Sequence, residues 1–129
     1  MDMDIRGFDH IVISTSKVQA IIEFYRDVCG MKVVEERPQK WALHFGSSKI
    51  SIQDASALPE IARQTTPGTA NFCVYTNRDI EEVLRTLRKH NVDVVAGPGE
   101  RIGATGKILS VYFNDPEGNL VEVCNRLAP

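Results

Sequence analysis

The sequence repeats itself once, at a spacing of about 61 residues, and this duplication constrains the fold more than any other feature. Residues 8–15 (FDHIVIST) and 69–76 (TANFCVYT) are both short, rich in β-forming residues and end in Thr, and a helical pattern follows each. His10 and Asn71 hold equivalent positions in the two copies. The chain therefore predicts two similar folding units in tandem.

Each copy contains one amphipathic helix after its first strand. Apolar residues recur at helical spacing, as Ile21, Phe24, Tyr25 and Val28 in the first copy and Ile80, Val83, Leu84 and Leu87 in the second. Capping-box patterns precede the stripes, Ser16 with Gln19 and Asp79 with Glu82. The helices are predicted to end at Gly30 and Asn91, because both residue types tolerate a left-handed backbone.

Three strand-like segments follow each helix. They are residues 31–36, 41–45 and 49–54 in the first copy, and 92–96, 107–114 and 120–125 in the second. Aligning Gln53 with Glu122 requires about eight added residues in the second copy, and these fall in the Gly-rich stretch 97–106 (GPGERIGATG), whose composition predicts a loop.

The predicted fold class is α+β, with two tandem βαβββ modules forming a curved mixed sheet around a central cleft. The 129 residues suffice for one domain, 1–129, with module 1 at about 5–54, a linker at about 55–68 and module 2 at about 69–126. Neither module is large enough to close a core alone, so we expect the two to pack side by side.

Charge and cysteine content exclude several classes of partner. With 15 Lys plus Arg against 17 Asp plus Glu, the net charge of −2 gives no basic excess, so we expect neither nucleic acid nor a membrane as partner. The three cysteines are widely spaced, which disfavours a disulfide framework and a zinc knuckle. No apolar run spans a membrane, and residues 1–6 are charged where a secretory signal is apolar. We expect a cytoplasmic protein with a small-molecule partner.

Alternation along the strands predicts which side chains face away from the helices. Ile11 and Ile13 belong on the helix side of the first strand, which turns His10 to the other face. The same rule turns Gln53, Asn71 and Glu122 away from the helices. Four polar residues thus occupy paired positions in two equivalent modules.

The segments FDHIVIST, FYRDVCGMKVV and VYFNDPEGNLVEV resemble the vicinal oxygen chelate superfamily, which includes glyoxalase I, fosfomycin-resistance proteins, extradiol dioxygenases and bleomycin-binding proteins. The resemblance covers nearly the whole chain. The run from Gly97 to Val123 is most similar to small glyoxalase-domain proteins related to biphenyl-diol dioxygenases. The resemblance implies a metal site at His10, Gln53, Asn71 and Glu122, holding Zn, Ni, Mn or Fe, and it also implies a homodimer.

The candidate ligands depart from the superfamily pattern. His10 and Glu122 are ordinary metal ligands, whereas Gln53 and Asn71 are neutral amides that bind transition metals weakly. Glyoxalase-type isomerisation needs a carboxylate base, for which Glu122 is the one carboxylate in the set. Ring-opening dioxygenation needs two His and one carboxylate, and His44 is the candidate for the second imidazole. Each of the four residues has a simpler reading as a hydrogen-bonded structural group.

Further candidates lie near this set. Arg101 begins the segment RIGATG and Lys107 follows it, so the two side chains are placed to hold an anionic group of a ligand. A flexible surface loop without a binding role explains the segment equally well. Tyr75 and His44 are candidate substrate-binding residues. Cys73 and Cys124 are expected to be small buried residues or soft ligands.

The sequence therefore predicts a metal-dependent enzyme acting on a small substrate with adjacent oxygens, with Glu122 as its catalytic residue. Lyase or isomerase chemistry is favoured over dioxygenase chemistry. The alternative is a non-catalytic protein that sequesters a small molecule, as the bleomycin binders do. The amides at 53 and 71 favour the alternative, and His10 with Glu122 favours the enzyme.

Overall fold

The computed structural model describes residues 2–57 and 65–128, which form two compact units, Met1–Thr65 and Thr66–Pro129. Each unit holds one four-stranded mixed sheet and one helix, so the fold class is α+β with two tandem βαβββ modules. The predicted linker overlaps residues 58–64, which lie outside the described residues. No helix in the described part of the chain is long and apolar enough to cross a membrane.

In the first unit the strands run in the order β1-β4-β3-β2, and β1 is parallel to β4. A single 3-10 turn, Ala55–Ala57, follows the last strand. The elements are β1 (Ile11–Thr15), α1 (Val18–Asp27), β2 (Lys32–Arg37), β3 (Lys40–Phe45) and β4 (Ser48–Asp54). The helix contributes Ile21, Ile22 and Tyr25 to a core that includes Leu43 and Ile50 of the sheet.

The second unit repeats this plan, with the strand order β5-β8-β7-β6 and β5 parallel to β8. Its elements are β5 (Asn71–Tyr75), α2 (Ile80–Lys89), β6 (Val94–Gly103), β7 (Gly106–Asn114) and β8 (Leu120–Arg126). The helix buries Ile80 and Leu87. The sheet contributes the buried side chains Val111, Phe113 and Val121 to the same core. The duplicated plan predicted from the sequence is confirmed.

The helix ends agree with the sequence patterns better than the helix starts do. Gly30 and Asn91 both have the left-handed φ expected after a helix, +73° and +57°. Asp79 caps α2, since its side chain accepts a hydrogen bond from the Glu81 N–H at 2.9 Å. The cap predicted for α1 is wrong: its N-cap residue is Lys17, which makes no side-chain cap bond, so Ser16 stands one residue too early.

The Gly-rich stretch 97–106 is not a loop, and that prediction is corrected. β6 runs to Gly103 and pairs with β7 down to Gly103↔Gly106, so the added residues lengthen a β-hairpin. β6 has ten residues where β2 has six. Gly97 allows β6 to approach β7 closely, because a Cβ at this position would collide with the carbonyl oxygen of Ser110 on β7.

A buried turn between β7 and β8 fixes the strand that carries Glu122. Asp115 and Asn119 are 5% and 1% exposed. The Asp115 carboxylate accepts bonds from the N–H groups of Glu117 and Asn119 and from Asn119 Nδ2. Asn119 Oδ1 in turn accepts the Ala70 N–H at 2.9 Å. The turn thus ties β8 to the residue that precedes β5.

Candidate functional site

His10 lies immediately before β1 and is exposed, with 40% of its side chain accessible. Its Nδ1 donates a hydrogen bond to Asp9 Oδ1 at 2.8 Å. This bond lowers the pKa of Asp9, which therefore stays ionised at neutral pH. A carboxylate on Nδ1 fixes the ring and leaves Nε2 as the atom for a ligand, the arrangement typical of metal-binding histidines.

Gln53, near the end of β4, has its amide nitrogen engaged. Nε2 donates to the carbonyl oxygens of Ala57 at 3.0 Å and Asp54 at 3.3 Å, which holds the 3-10 turn against the strand. Only Oε1 of Gln53 is thus left to approach a metal ion. The proposed role of Gln53 stays a prediction.

The strand registers indicate a different residue, Ser51, as the counterpart of Glu122 in the first unit. In the first unit Ile11 is opposite Ile50, whereas in the second unit the equivalent Phe72 is opposite Val121. Matching the two registers puts Ser51, not Gln53, at the place that Glu122 holds. Ser51 and Gln53 lie on the same face of β4, since they are two residues apart.

His44 is directed away from β1. Its Nε2 lies 3.5 Å from Glu36 Oε2 on β2, at the side of β3 opposite β4. Lys49 Nζ also reaches Glu36, at 3.1 and 3.2 Å from its two oxygens, and these bonds lower the pKa of Glu36. His44 therefore belongs to a charged cluster with Glu36 and Lys49 at the β2 side of the sheet. Its substrate-binding role stays a prediction.

The helix-averted face of the second unit carries a cavity of about 440 Å³. Glu122 lines it from β8, and Ser110 Oγ of β7 donates to Glu122 Oε2 at 2.6 Å. Glu122 also interacts with the hydroxyl of Tyr112 and the thiol of Cys73, its register partners on the two neighbouring strands. The lining residues used below are Cys73, Tyr75, Arg101, Tyr112, Glu122 and Arg126.

Tyr112 and Cys73 flank Glu122 in the strand register and stay protonated at neutral pH. Burial and the neighbouring Glu122 raise the pKa of the Tyr112 phenol. Burial, the adjacent Cys124 and then Glu122 raise the pKa of Cys73 to about 12. The Sγ atoms of the two cysteines are 3.7 Å apart. Tyr112 thus keeps its O–H as a hydrogen-bond donor, with Glu122 as the partner, whereas Cys73 is a poor nucleophile.

Asn71 and Tyr75, both on β5, share the face that bears Glu122. Asn71 is exposed at the first residue of the strand and is not among the residues that line the cavity. Tyr75 does line it, with 57% of its surface exposed. The guanidinium carbon of Arg126 lies 3.7 Å from the centre of the Tyr75 ring. Tyr75 is therefore a wall residue of the cavity, as its alternation predicts.

Arg101 lines the cavity, but Lys107 does not. Arg101 is opposite Ile108 in the β6–β7 register, and both line the cavity, whereas Lys107 is not among the lining residues. The prediction that Arg101 and Lys107 hold one ligand group stays a prediction.

Sequence reasoning missed three residues of this face, Ser110, Tyr112 and Arg126. The signal was present, because the alternation that assigned Glu122 assigns them too. Within each unit, the described residues contain no group of three His, Cys, Asp or Glu side chains that could hold a metal ion.

Comparison with known proteins assigns the fold to a family. A profile of the Glyoxalase/Bleomycin resistance protein/Dioxygenase superfamily matches residues 7–123, nearly the whole chain. The chain belongs to this superfamily. The superfamily assignment agrees with the resemblance of the sequence motifs, and the narrower relation to biphenyl-diol dioxygenases stays a prediction.

Three relatives illustrate the range of the superfamily around this chain. Virulence protein STM3117 of Salmonella typhimurium is 38% identical over 125 residues, covering 95% of this chain and 86% of that protein. Its crystal structure matches with a TM-score of 0.91 at 36% identity, over 97% and 100% of the two chains. Glyoxalase domain-containing protein RDO1 of Mycosarcoma maydis is 36% identical, over 94% of this chain and 69% of its own. Metallothiol transferase FosB of Staphylococcus haemolyticus is 25% identical, over 92% and 83%.

Proposed function

We propose that this superfamily member is a divalent-metal-dependent enzyme that acts on a small substrate with two adjacent oxygens. The observation that carries the proposal is the state of His10 and Glu122. The His10 ring is bonded through Nδ1 to Asp9, which makes Nε2 its candidate ligand atom. The Glu122 carboxylate lines the cavity of the second unit, where Oε2 accepts a bond from Ser110. The similarity to a relative named metallothiol transferase supports a metal in this branch of the superfamily.

The donor chemistry fits a divalent ion. An imidazole and a carboxylate suit Zn, Ni, Mn or Fe, and the amide oxygens of Gln53 and Asn71 would supply the weaker ligands. The two amides contribute no charge, so a single carboxylate leaves a bound ion with net positive charge. Such a site favours an anionic chelating substrate. When bound, the ion supplies Lewis acidity toward two substrate oxygens.

The chain's own residues have distinct roles in this proposal. Tyr112 keeps its proton because burial and Glu122 raise its pKa, so it can donate a hydrogen bond to a substrate oxygen that gains negative charge. Glu122 is the carboxylate available to move a proton, and the Ser110 bond holds one of its oxygens in place.

Lyase or isomerase chemistry is favoured over ring-opening dioxygenation. The dioxygenase triad requires a second imidazole beside His10 and Glu122. His44 is the candidate, and its Nε2 lies toward Glu36 on the opposite side of β3 from β4 and β1. This position of His44 beside Glu36 supports lyase or isomerase chemistry over the dioxygenase triad.

A non-catalytic binding protein is the second candidate. Neither unit alone offers three strong metal ligands among the described residues, and two of the four proposed ligands are amides. The cavity of the second unit has the size of a small-molecule site, for which volumes of roughly 300–1,000 Å³ are usual.

Metal titration distinguishes the two candidates. Chelator-treated protein should take up one Zn²⁺ or Ni²⁺ per chain, with affinity lowered by about 100-fold or more in His10→Ala and Glu122→Gln. Asp9→Asn should weaken binding by about 10-fold, since it removes the partner of Nδ1. His90→Ala, at the exposed end of α2, is the matched control and should bind like wild type. Absence of stoichiometric uptake in wild type overturns the enzyme and leaves the binding protein.

A homodimer, a cytoplasmic location and a single domain over residues 1–129 are also proposed. They rest on the sequence and on the superfamily alone. Light scattering of the purified chain tests the dimer.

A further inference from the structure

Two arginines face each other across the cavity of the second unit. Arg101 on β6 and Arg126 on β8 are both register partners of Ile108, which lies between them on β7. Directly opposed residues of neighbouring strands point to the same face of a sheet. The two side chains therefore leave the sheet on the cavity side, about 10 Å apart at the backbone, which is two strand spacings.

Each guanidinium lies over a tyrosine ring. The Arg126 carbon Cζ is 3.7 Å from the centre of the Tyr75 ring, and Arg101 Cζ is 5.7 Å from that of Tyr112. Stacking uses the face of the guanidinium and leaves its N–H groups, which lie in the plane, for hydrogen bonds. Arg101 uses Nη1 to donate to the Glu100 carbonyl oxygen at 2.9 Å, and it also makes a side-chain hydrogen bond with Tyr112.

The positive charge of this pair exceeds the negative charge of the described cavity lining. Among the residues that the structure describes, the ion pairs within 4.0 Å include neither Arg101 nor Arg126. Glu122 is the one carboxylate in the described cavity lining, against two guanidinium groups. Ser110 already occupies one of its oxygens. A concave surface with excess positive charge and planar donors attracts an anion.

We propose that the cavity of the second unit is an anion subsite in which Arg101 and Arg126 grip one acidic group of a small organic acid. The group is a carboxylate, a phosphonate or a phosphate ester, all of which present coplanar or clustered oxygens to guanidinium donors. That this acid is the substrate rests on the proposed function, whereas the anion site itself does not. The tyrosines form the wall on which the arginines are held.

Anion binding is measured on chelator-treated protein with two probes, inorganic phosphate and succinate. Titrations are followed through the side-chain Nε–Hε and backbone signals in two-dimensional ¹H–¹⁵N NMR spectra. We expect saturable binding of at least one probe, with shifts at Arg101, Arg126 and the β6–β8 backbone. The stronger probe shows whether the subsite prefers phosphoryl or carboxylate oxygens.

Arg101→Gln and Arg126→Gln should each weaken binding by about 10-fold, the loss of one charge-assisted contact. Arg88→Gln removes the same charge from an exposed position of α2 and should bind as wild type does. Arg126→Lys keeps the charge and loses the planar fork, so an intermediate affinity is expected even if the glutamine variant does not fold. The proposal is overturned if neither probe saturates below 50 mM, roughly the range of weak single-site ion pairs, or if the cavity variants bind like Arg88→Gln.

The anion test and the metal test fail separately. Phosphate or succinate binding without metal uptake retains the anion subsite and contradicts the metal enzyme. Metal uptake without anion binding retains the enzyme and contradicts the subsite.

Discussion

Replacing Asn119 by alanine tests whether the buried β7–β8 turn holds the strand that carries Glu122. The substitution removes two hydrogen bonds, the one from Nδ2 to Asp115 Oδ2 at 2.8 Å and the one from the Ala70 N–H to Oδ1 at 2.9 Å. A bond to a charged group contributes about 1.5–3 kcal/mol and a neutral one about 1 kcal/mol. The expected loss of unfolding free energy is therefore about 3 kcal/mol.

Urea denaturation followed by far-UV circular dichroism measures this loss, and a loss of about 3 kcal/mol lowers Tm by roughly 10 °C for a chain of this size. Asn114→Ala, at the exposed end of β7, is the matched control and should change the unfolding free energy by less than about 0.5 kcal/mol. A loss under about 1 kcal/mol in Asn119→Ala, or an equal loss in the control, would show that the buried hydrogen bonds of Asn119 do not stabilise the turn.

Three further predictions address the backbone, a helix cap and a thiol. Gly97→Ala should cost about 3 kcal/mol and Gly30→Ala about 1 kcal/mol, because both have a left-handed φ but only Gly97 lacks room for a Cβ; equal losses by urea denaturation contradict this. Asp79→Ala should lower stability by about 1 kcal/mol through loss of the α2 cap, and an unchanged urea midpoint contradicts the cap. Since the pKa of Cys73 is raised to about 12, its thiolate fraction at pH 8 is low. Iodoacetamide should modify it about a thousandfold more slowly than a peptide thiol, with a rate that rises with pH toward 12; a plateau near pH 9 in peptide mass spectra contradicts this.

Local patterns were sufficient to predict the duplicated plan. The helical stripes, the glycine and asparagine at the helix ends and the two-residue alternation are short-range signals, and each corresponds to an element of the structure. The alternation assigned Glu122 to the face that bears the cavity. Applied to every strand residue, it would also have found Tyr112 and Arg126.

Long-range pairing could not be predicted from local patterns. Residues 97–103 read as a loop by composition, and their pairing with β7 makes them a strand. The alternation also cannot detect a register shift of two residues, because such a shift keeps the same side chains on the same face. The choice between Ser51 and Gln53 as the counterpart of Glu122 therefore required the strand registers.

We propose that an imidazole and a carboxylate, His10 and Glu122, are ligands of a divalent metal ion. X-ray absorption spectroscopy of Zn²⁺-loaded protein tests it most directly, because it reports the type and number of ligand atoms. We expect nitrogen and oxygen ligands at about 2.0–2.2 Å with the multiple-scattering signature of a single imidazole. Sulfur scattering at about 2.3 Å, or no imidazole signature, would contradict it.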